Sequence, residues 1–519
     1  MKDKNINDLL NQALNLHHDG KLEKADDLYL LILDQDENNF SANHLHGCIL
    51  SQNLKYKDAV SYLKKACDID PNNYEANNNL GIVYKNLKDL KKSEQCFKKA
   101  MILNDSEYKA YFNCANLYID HQKYHQSIDL LKKTLSCNES FSDADHRIGE
   151  VYQYIFQQDR KIKNLETSIG WFKNAIMKDP EYADSYLMLG MSHLWMGNVK
   201  EANKNFKTVL SLYGSNVELQ KNNIKRHLSD EKLLSTLIAH EYEQLSFIDN
   251  DTDDIRNPKF TKEYYDSLKD LYEESKKGDL DFNRITYDFK KKLFKVLYNK
   301  PPKITSSNLL NLENDIKLIE NSYINGSPEV VVIDNFLSDD ALYEIQKYCR
   351  NANVFKYPYH GGYVGAFLSK GLSNEFILQL SENLRLTYEH IFKELRLTQA
   401  WIFKYDSQKV GTNIHADQAS VNVNFWISPE SANQDKNSGG LRVWNKIPPK
   451  NWDFAEYNSL ERSPKIKEML ISNNIKEKII PYKENRAVIF NSKLFHSTDD
   501  FKFDNSYANR RVNITFLYD

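Results

Sequence analysis

The chain is poor in the features that mark secreted, membrane-embedded or strongly charged proteins. Its six cysteines, Cys48, Cys67, Cys96, Cys114, Cys137 and Cys349, are scattered, and none falls in a Cys-x-x-Cys pair. That spacing points to a reducing, cytoplasmic compartment rather than a disulfide framework. The opening MKDKNINDLLNQALNLHHDGK has no apolar core of the kind a signal peptide carries. No stretch approaches the roughly 18 apolar residues of a membrane span, so no membrane association is expected. Neither sign of charge dominates: 69 basic against 72 acidic residues leave a formal net charge of −3. The balance gives no reason to expect a nucleic-acid or anionic-membrane partner.

What is present is length and repetition. With 519 residues, 41% of them hydrophobic and 27% charged, the composition is that of a globular protein with room for several domains. In a unit marked by Gly47, Ala59, Ala66 and Pro71, the first three recur 34 residues on as Gly81, Ser93 and Ala100, and again as Ala115, Ser127 and Thr134. Gly149 and Gly190 continue the glycine column, Ala175 and Pro180 the alanine and proline columns. Tyr84, Tyr118 and Tyr152 each stand three residues after the Gly/Ala column, and Ala13 and Ala25 mark a weaker first unit. Small residues at fixed positions let paired antiparallel helices approach closely, and a period in this range marks a solenoid. The columns resemble the tetratricopeptide repeat, in about six units from Ile6 to Asn216, with seven extra residues around Gln157 to Asn164 in the fifth. Such an array implies a concave groove for a peptide or protein; a spacer or dimerisation arm is the plainer alternative.

From Val217 to Asn325 the chain keeps helical spacing. IKRHLSDEKLLSTLIAHEYEQLSFI and FTKEYYDSLKDLYEESKKG read as helices, the second closed by Gly278, with DNDTDDIRNP a loop between them. This segment reads as a connector without chemistry of its own.

At Pro328 the period changes. PEVVVIDNFL reads as a buried strand, followed by a helix with Ser338 as its N-cap. TQAWIFKY, SVNVNFWIS, GGLRVWN, RAVIFN and RRVNITFLY are short, β-branched and aromatic runs bounded by turn residues, which predict a sandwich or jelly roll. Asn451 to Asn474 reads as a helical or irregular insert. The organisation expected is therefore multidomain α + β: a repeat array over 1–216, a helical connector over 217–325 and a β-domain over 326–519.

Within the β-domain, His415-Ala416-Asp417 places a histidine and a carboxylate two residues apart, and residues two apart on a strand share a face. His496 follows 81 residues later (496 minus 415), then Arg511 opens RVNIT. Two histidines and one carboxylate make the facial triad of non-haem iron(II) oxygenases. A bare His-x-Asp is weak evidence, since His17-His18-Asp19 in the first repeat helix holds another. Order and context add the weight. WIFKYDSQKVGTNIHADQASVNVNFWISP, SGGLRVW and IIPYKENRAVIFNSKLFHS followed by RRVNITF resemble the 2-oxoglutarate/Fe(II)-dependent dioxygenase superfamily over Pro328 to Asp519.

The resemblance implies a double-stranded β-helix fold, iron ligands His415, Asp417 and His496, and hydroxylation with 2-oxoglutarate and dioxygen as cosubstrates. It also implies that Arg511 holds the far carboxylate of 2-oxoglutarate, with Asn513 assisting; a guanidinium suits that bidentate task. Retention of Asp417 favours hydroxylation over halogenation. Two departures are Asn485, where the family often has glycine in a turn, and Asn513, where serine is common. Arg442, on another strand, is a second candidate anchor, and Arg510 faces away.

Tyr405 alternates with Trp401 and Phe403, so all three are either core or, for Tyr405, beside the cosubstrate. Asn422, Asn424 and Trp426 share a face that lines the pocket or meets water. His360 and Tyr363 lie in a glycine-containing loop that is either a plain turn or a substrate-side loop. A repeat array fused to a hydroxylase suggests a protein or peptide substrate. The competing readings are a non-catalytic scaffold with a degenerate β-domain, a hydroxylase of small molecules or glycans, and a cupin-like metal enzyme without 2-oxoglutarate.

Overall fold

A computed structural model describes residues 5–215, 217–228, 230–250, 261–406, 412–449, 452, 454–459, 462–473 and 475–519. Residues 251–258 of the DNDTDDIRNP stretch, the limits Asn216, Asn451 and Asn474, and part of the segment before His415 lie outside these; Asp249 and Asn250 end a helix instead of opening the loop. The chain divides into two compact units, Met1–Tyr182 and Ala183–Asp519.

Among the described residues the first unit is a run of ten helices in antiparallel pairs: α1 (Ile6–His18), α2 (Leu22–Gln35), α3 (Phe40–Gln52), α4 (Tyr56–Ile69), α5 (Tyr74–Asn86), α6 (Leu90–Leu103), α7 (Tyr108–Asp120), α8 (Tyr124–Cys137), α9 (Ser142–Asp159) and α10 (Ile162–Lys178). The glycine column has a steric cause. A Cβ at Gly81 would stand 2.7 Å from the Phe97 ring, and one at Gly149 would stand 2.6 Å from Phe172. Only hydrogen fits where the partner helix delivers an aromatic ring. The seven extra residues of the fifth unit lengthen its helices, to 18 residues in α9 and 17 in α10, where α3 has 13 and α4 has 14. A further column escapes the composition: Gly20, Leu54, Lys88 and Gln122, each 34 apart, all take positive φ, between 58° and 73°. This is the left-handed residue that turns the first helix of each pair into the second.

The second unit begins inside the sixth repeat. Helices α11 (Ala183–Trp195) and α12 (Val199–Ser215) keep the repeat pattern, and a Cβ at Gly190 would meet Phe206 at 2.8 Å. Yet they pack on the β region: Trp195 Nε1 donates to the Leu397 carbonyl at 2.7 Å, and Arg396 Nε to the Trp195 carbonyl at 3.1 Å. The segment read as a connector supplies α13 (Val217–His227), α14 (Glu231–Asn250), α15 (Lys262–Lys277), α16 (Tyr287–Phe294) and α17 (Ile316–Ile324). Gly278 closes α15 with φ +79°, as its sequence position predicts. Along α14, Glu241 is fully buried and receives Lys356 Nζ at 2.7 Å and Asn353 Nδ2 at 3.0 Å.

Among the described residues ten strands form two antiparallel sheets. They are β1 (Val330–Ile333), β2 (Tyr357–Tyr359), β3 (Tyr363–Phe367), β4 (Leu397–Tyr405), β5 (Val421–Trp426), β6 (Leu441–Trp444), β7 (Glu477–Ile480), β8 (Arg486–Asn491), β9 (His496–Thr498) and β10 (Val512–Tyr518). Seven strands run in the order β1-β8-β5-β10-β4-β3-β2, and three in the order β7-β6-β9. β10 is buried throughout, between β4 and β5. Ser338 caps the helix Asp339–Asn351 by accepting from the Ala341 amide. Asn485 takes φ 57° in the turn before β8, and its side chain exchanges two 2.9 Å hydrogen bonds with Leu337.

Candidate metal centre

The site is built where the two sheets face each other. His496 begins β9, at the edge of the smaller sheet, where it is buried. His415 is not on a strand. The sequence places His-x-Asp on one strand face, whereas His415 forms a lone bridge to His496 and Asp417 lies in the irregular stretch beyond it. The bridge does the strand's work: the His415 amide donates to the His496 carbonyl at 3.0 Å and the His496 amide returns the bond at 2.8 Å. The Asp417 amide is fixed on the Ser492 carbonyl at 3.0 Å.

These anchors bring one donor atom from each of His415, Asp417 and His496 within 4.8 Å of one another. His415 Nδ1 bonds the Asn413 carbonyl at 2.7 Å, and His496 Nδ1 the Leu494 carbonyl at 2.9 Å. Both contacts require the proton on Nδ1, which leaves the Nε2 lone pairs as the ligating positions. His496 Nε2 lies 3.5 Å from Asp417 Oδ2, and Asn422 Nδ2 donates to that same oxygen at 2.9 Å. Burial, together with the neighbouring His496 ring, pushes His415 down to about 4. Burial pushes Asp417 up, but the His496 contact and the charges around it outweigh that and hold its carboxyl below the usual range. Both shifts favour the forms in which these two groups ligate a divalent metal, an unprotonated ring nitrogen and a carboxylate.

The cavity beside the three donors is small, about 40 Å³. The larger sheet lines it with Trp401, Phe403 and Tyr405 of β4, Asn422 and Asn424 of β5, and Asn513 and Thr515 of β10. Period-two alternation explains each set, and the asparagines face the cavity rather than water. Arg511 also lines it and is 1% exposed. Its Nε donates to the Gly439 carbonyl at 2.8 Å and its Nη2 to the Gly440 carbonyl at 3.2 Å, while Nη1 is buried without a partner. Its guanidinium carbon stands 4.8 Å from the centre of the Tyr405 ring. Asn513 gives Nδ2 to Thr515 Oγ1 at 3.2 Å and leaves Oδ1 unpartnered; the Oδ1 atoms of Asn422 and Asn424 are likewise unpartnered.

The other arginines are committed elsewhere. Arg442 reaches Asp499 at 2.6 Å and Glu477 at 3.0 Å, and Arg510 pairs with Glu243. Trp426 belongs to the core around Leu441 and Tyr482. His360 sits in the turn joining β2 to β3, and Tyr363 stacks on Tyr359 with centroids 4.7 Å apart. Neither His360 nor Tyr363 lines the cavity. The glycine carbonyls that hold Arg511 escaped the sequence reading. Their signal was the Gly-Gly pair itself: a Cβ at Gly440 would fall 1.9 Å from the Ile480 carbonyl oxygen.

Residues 40–73 and 62–95 match two models of the tetratricopeptide repeat. The match covers residues 40–95, from α3 into α6. No curated protein matches the chain. Solved structures similar to it include pilF of Pseudomonas aeruginosa (16% identity, 42% of this chain and 97% of that one, TM-score 0.35). MamA of Desulfovibrio magneticus RS-1 is similar at 20% identity (34% and 97%, TM-score 0.31). YrrB, a TPR protein with an unusual peptide-binding site, is similar at 14% (37% and 96%, TM-score 0.29). Among the described residues no helix is long and apolar enough to cross a membrane.

Proposed function

We propose that the C-terminal unit is an iron(II)- and 2-oxoglutarate-dependent oxygenase of the double-stranded β-helix type, and that the tetratricopeptide repeats bind its protein or peptide substrate. The observation that carries the catalytic half is the convergence of His415, Asp417 and His496, with both imidazoles fixed through Nδ1 to backbone carbonyls. Two imidazoles and a carboxylate suit iron(II) and leave positions open for exogenous ligands. Arg511 supports the cosubstrate half: it is a buried cation on the same cavity with one donor, Nη1, uncommitted. A cavity of about 40 Å³ takes an ion and water.

With dioxygen, the loaded metal and 2-oxoglutarate supply oxidation: one oxygen atom enters the substrate as a hydroxyl and the other enters succinate, with carbon dioxide released. The chain's own residues have simpler tasks. Asn422 orients Asp417, the Asn413 and Leu494 carbonyls fix the imidazole tautomers, and Arg511 neutralises a carboxylate. Trp401, Phe403 and Tyr405 limit water.

A second reading is a scaffold whose β region has no turnover. The repeat matches favour it as far as they reach, which is residues 40–95. The two readings separate on succinate release. Protein purified without oxygen is given iron(II), 2-oxoglutarate and air, and compared with Asp417→Ala. Succinate from the native chain alone supports the oxygenase. No succinate from either, with no iron-dependent 2-oxoglutarate binding, leaves the scaffold.

A further inference from the structure

A cavity of the second unit lies away from the metal centre. It measures about 720 Å³ and sits among α12, α13, α16, the chain after α16 and the segment around Lys370. Its wall is apolar and aromatic, with Leu210, Tyr213, Ile224, Phe294, Val296 and Tyr357. Its charged lining is of one sign. Lys207, Lys291, Lys295 and Lys370 face it; among the described residues no carboxylate lines it and none of the four lysines has an ion-pair partner. A fifth lysine, Lys356, is neutralised by Glu241 at 2.7 Å.

Lys370 is the deepest of the four. Its Nζ stands 4.4 Å from the Tyr357 ring centre, and burial with the nearby charge of Arg226 pushes it down. An uncompensated cluster of this kind raises the local potential whatever the net charge of the chain, which here is slightly negative. The cluster continues into a shallower depression that shares Lys207 and Ser211 and adds Lys200 and Lys204, with Glu375 its one acidic lining residue. Lys200, Lys204 and Lys207 fall on one face of α12 by their spacing of four and three.

We infer that this cavity binds an organic phosphate of nucleotide class, with its ring body against the Tyr213, Phe294 and Tyr357 wall and its phosphate chain on the lysines. The volume lies within the range of roughly 300–1,000 Å³ that small-molecule sites occupy. A monovalent carboxylate would leave most of the lysines uncompensated; a phosphate chain carries several charges. The inference stands on residues remote from the triad and is independent of the oxygenase reading.

The test is calorimetric titration of the full chain with ATP and, separately, with inorganic tripolyphosphate, in EDTA so that no metal is present. The variants are Lys291→Glu/Lys370→Glu, the milder Lys291→Gln/Lys370→Gln, and Asp417→Ala, each checked for a native melting profile. The expected result is ATP binding stronger than tripolyphosphate binding. Affinity falls at least about tenfold in the charge-reversed variant, falls less in the neutral one, and is unchanged in Asp417→Ala. No ATP binding at millimolar concentration overturns the inference. So does equal binding of tripolyphosphate, undiminished binding in both lysine variants, or loss of binding in Asp417→Ala.

Discussion

Asn422 donates its side-chain amide to Asp417 Oδ2 at 2.9 Å, across from the larger sheet to the segment that carries two of the three donor residues. Asp417 has no strand to hold it, so this bond and the Ser492 carbonyl fix where its carboxylate points. Asn422→Leu therefore weakens metal binding by about 10–100-fold, the cost of losing an outer partner of a ligating carboxylate. Titration with iron(II) or cobalt(II) checks it. Asn424→Leu, which removes an amide bonded to Thr515 instead, leaves metal affinity near native.

Arg511 and Arg442 make a contrasting pair. Arg511→Met removes the cation with a free donor and raises the half-saturating 2-oxoglutarate concentration by roughly 10–100-fold, as expected for a charge-assisted contact of about 1.5–3 kcal/mol. Arg442→Met, whose guanidinium is taken by Asp499 and Glu477, leaves that concentration unchanged. Succinate release as a function of 2-oxoglutarate measures both.

Much of this was legible in the sequence. His415, Asp417, His496 and Arg511 stand in a recognisable order, and the strands carrying Trp401, Asn422, Val488 and Asn513 are short, β-branched and aromatic runs. The hairpin of β2 and β3 was not legible, because YPYHGGYVGAF mixes glycine with aromatics and reads as a loop. Nor was the left-handed column legible: at Leu54, Lys88 and Gln122 the turn is imposed by helix packing on residues with no preference for it. The sixth repeat keeps its spacing although its helices pack on the β region, since one apolar face serves either neighbour. The basic cavity draws its lysines from positions as distant as 207 and 370, so no local charge run announces it.

The glycine column gives a paired stability test. Gly81→Ala places a methyl 2.7 Å from Phe97. Overpacking of about 1–3 kcal/mol then outweighs a helix-propensity gain of about 1 kcal/mol, so the melting temperature falls. Gly170 is exposed within α10 and has nothing within 4 Å of its Cβ position. Gly170→Ala therefore stabilises, by about 0.5–1 kcal/mol. Thermal denaturation of both reads opposite signs.

Lys404 gives a pH dependence. Burial pushes it down to about 7 from 10.5; its Nζ donates to the Cys349 carbonyl at 2.5 Å and to the Tyr507 hydroxyl at 2.7 Å. Between those values the unfolded chain binds the proton and the folded chain does not, so stability rises with pH across this window. Unfolding in urea at pH 7.0 and 8.0 shows a slope more positive in the native chain than in Lys404→Met, in which the contribution of the cysteine thiols is the same.

The most direct test of the metal centre is anaerobic calorimetry of iron(II), followed by 2-oxoglutarate, on the native chain and on His496→Ala. The account predicts one equivalent of iron in the native protein, 2-oxoglutarate binding only after the metal, and neither event in the variant. Native protein that takes up no iron, or a variant that takes it up as tightly, contradicts it.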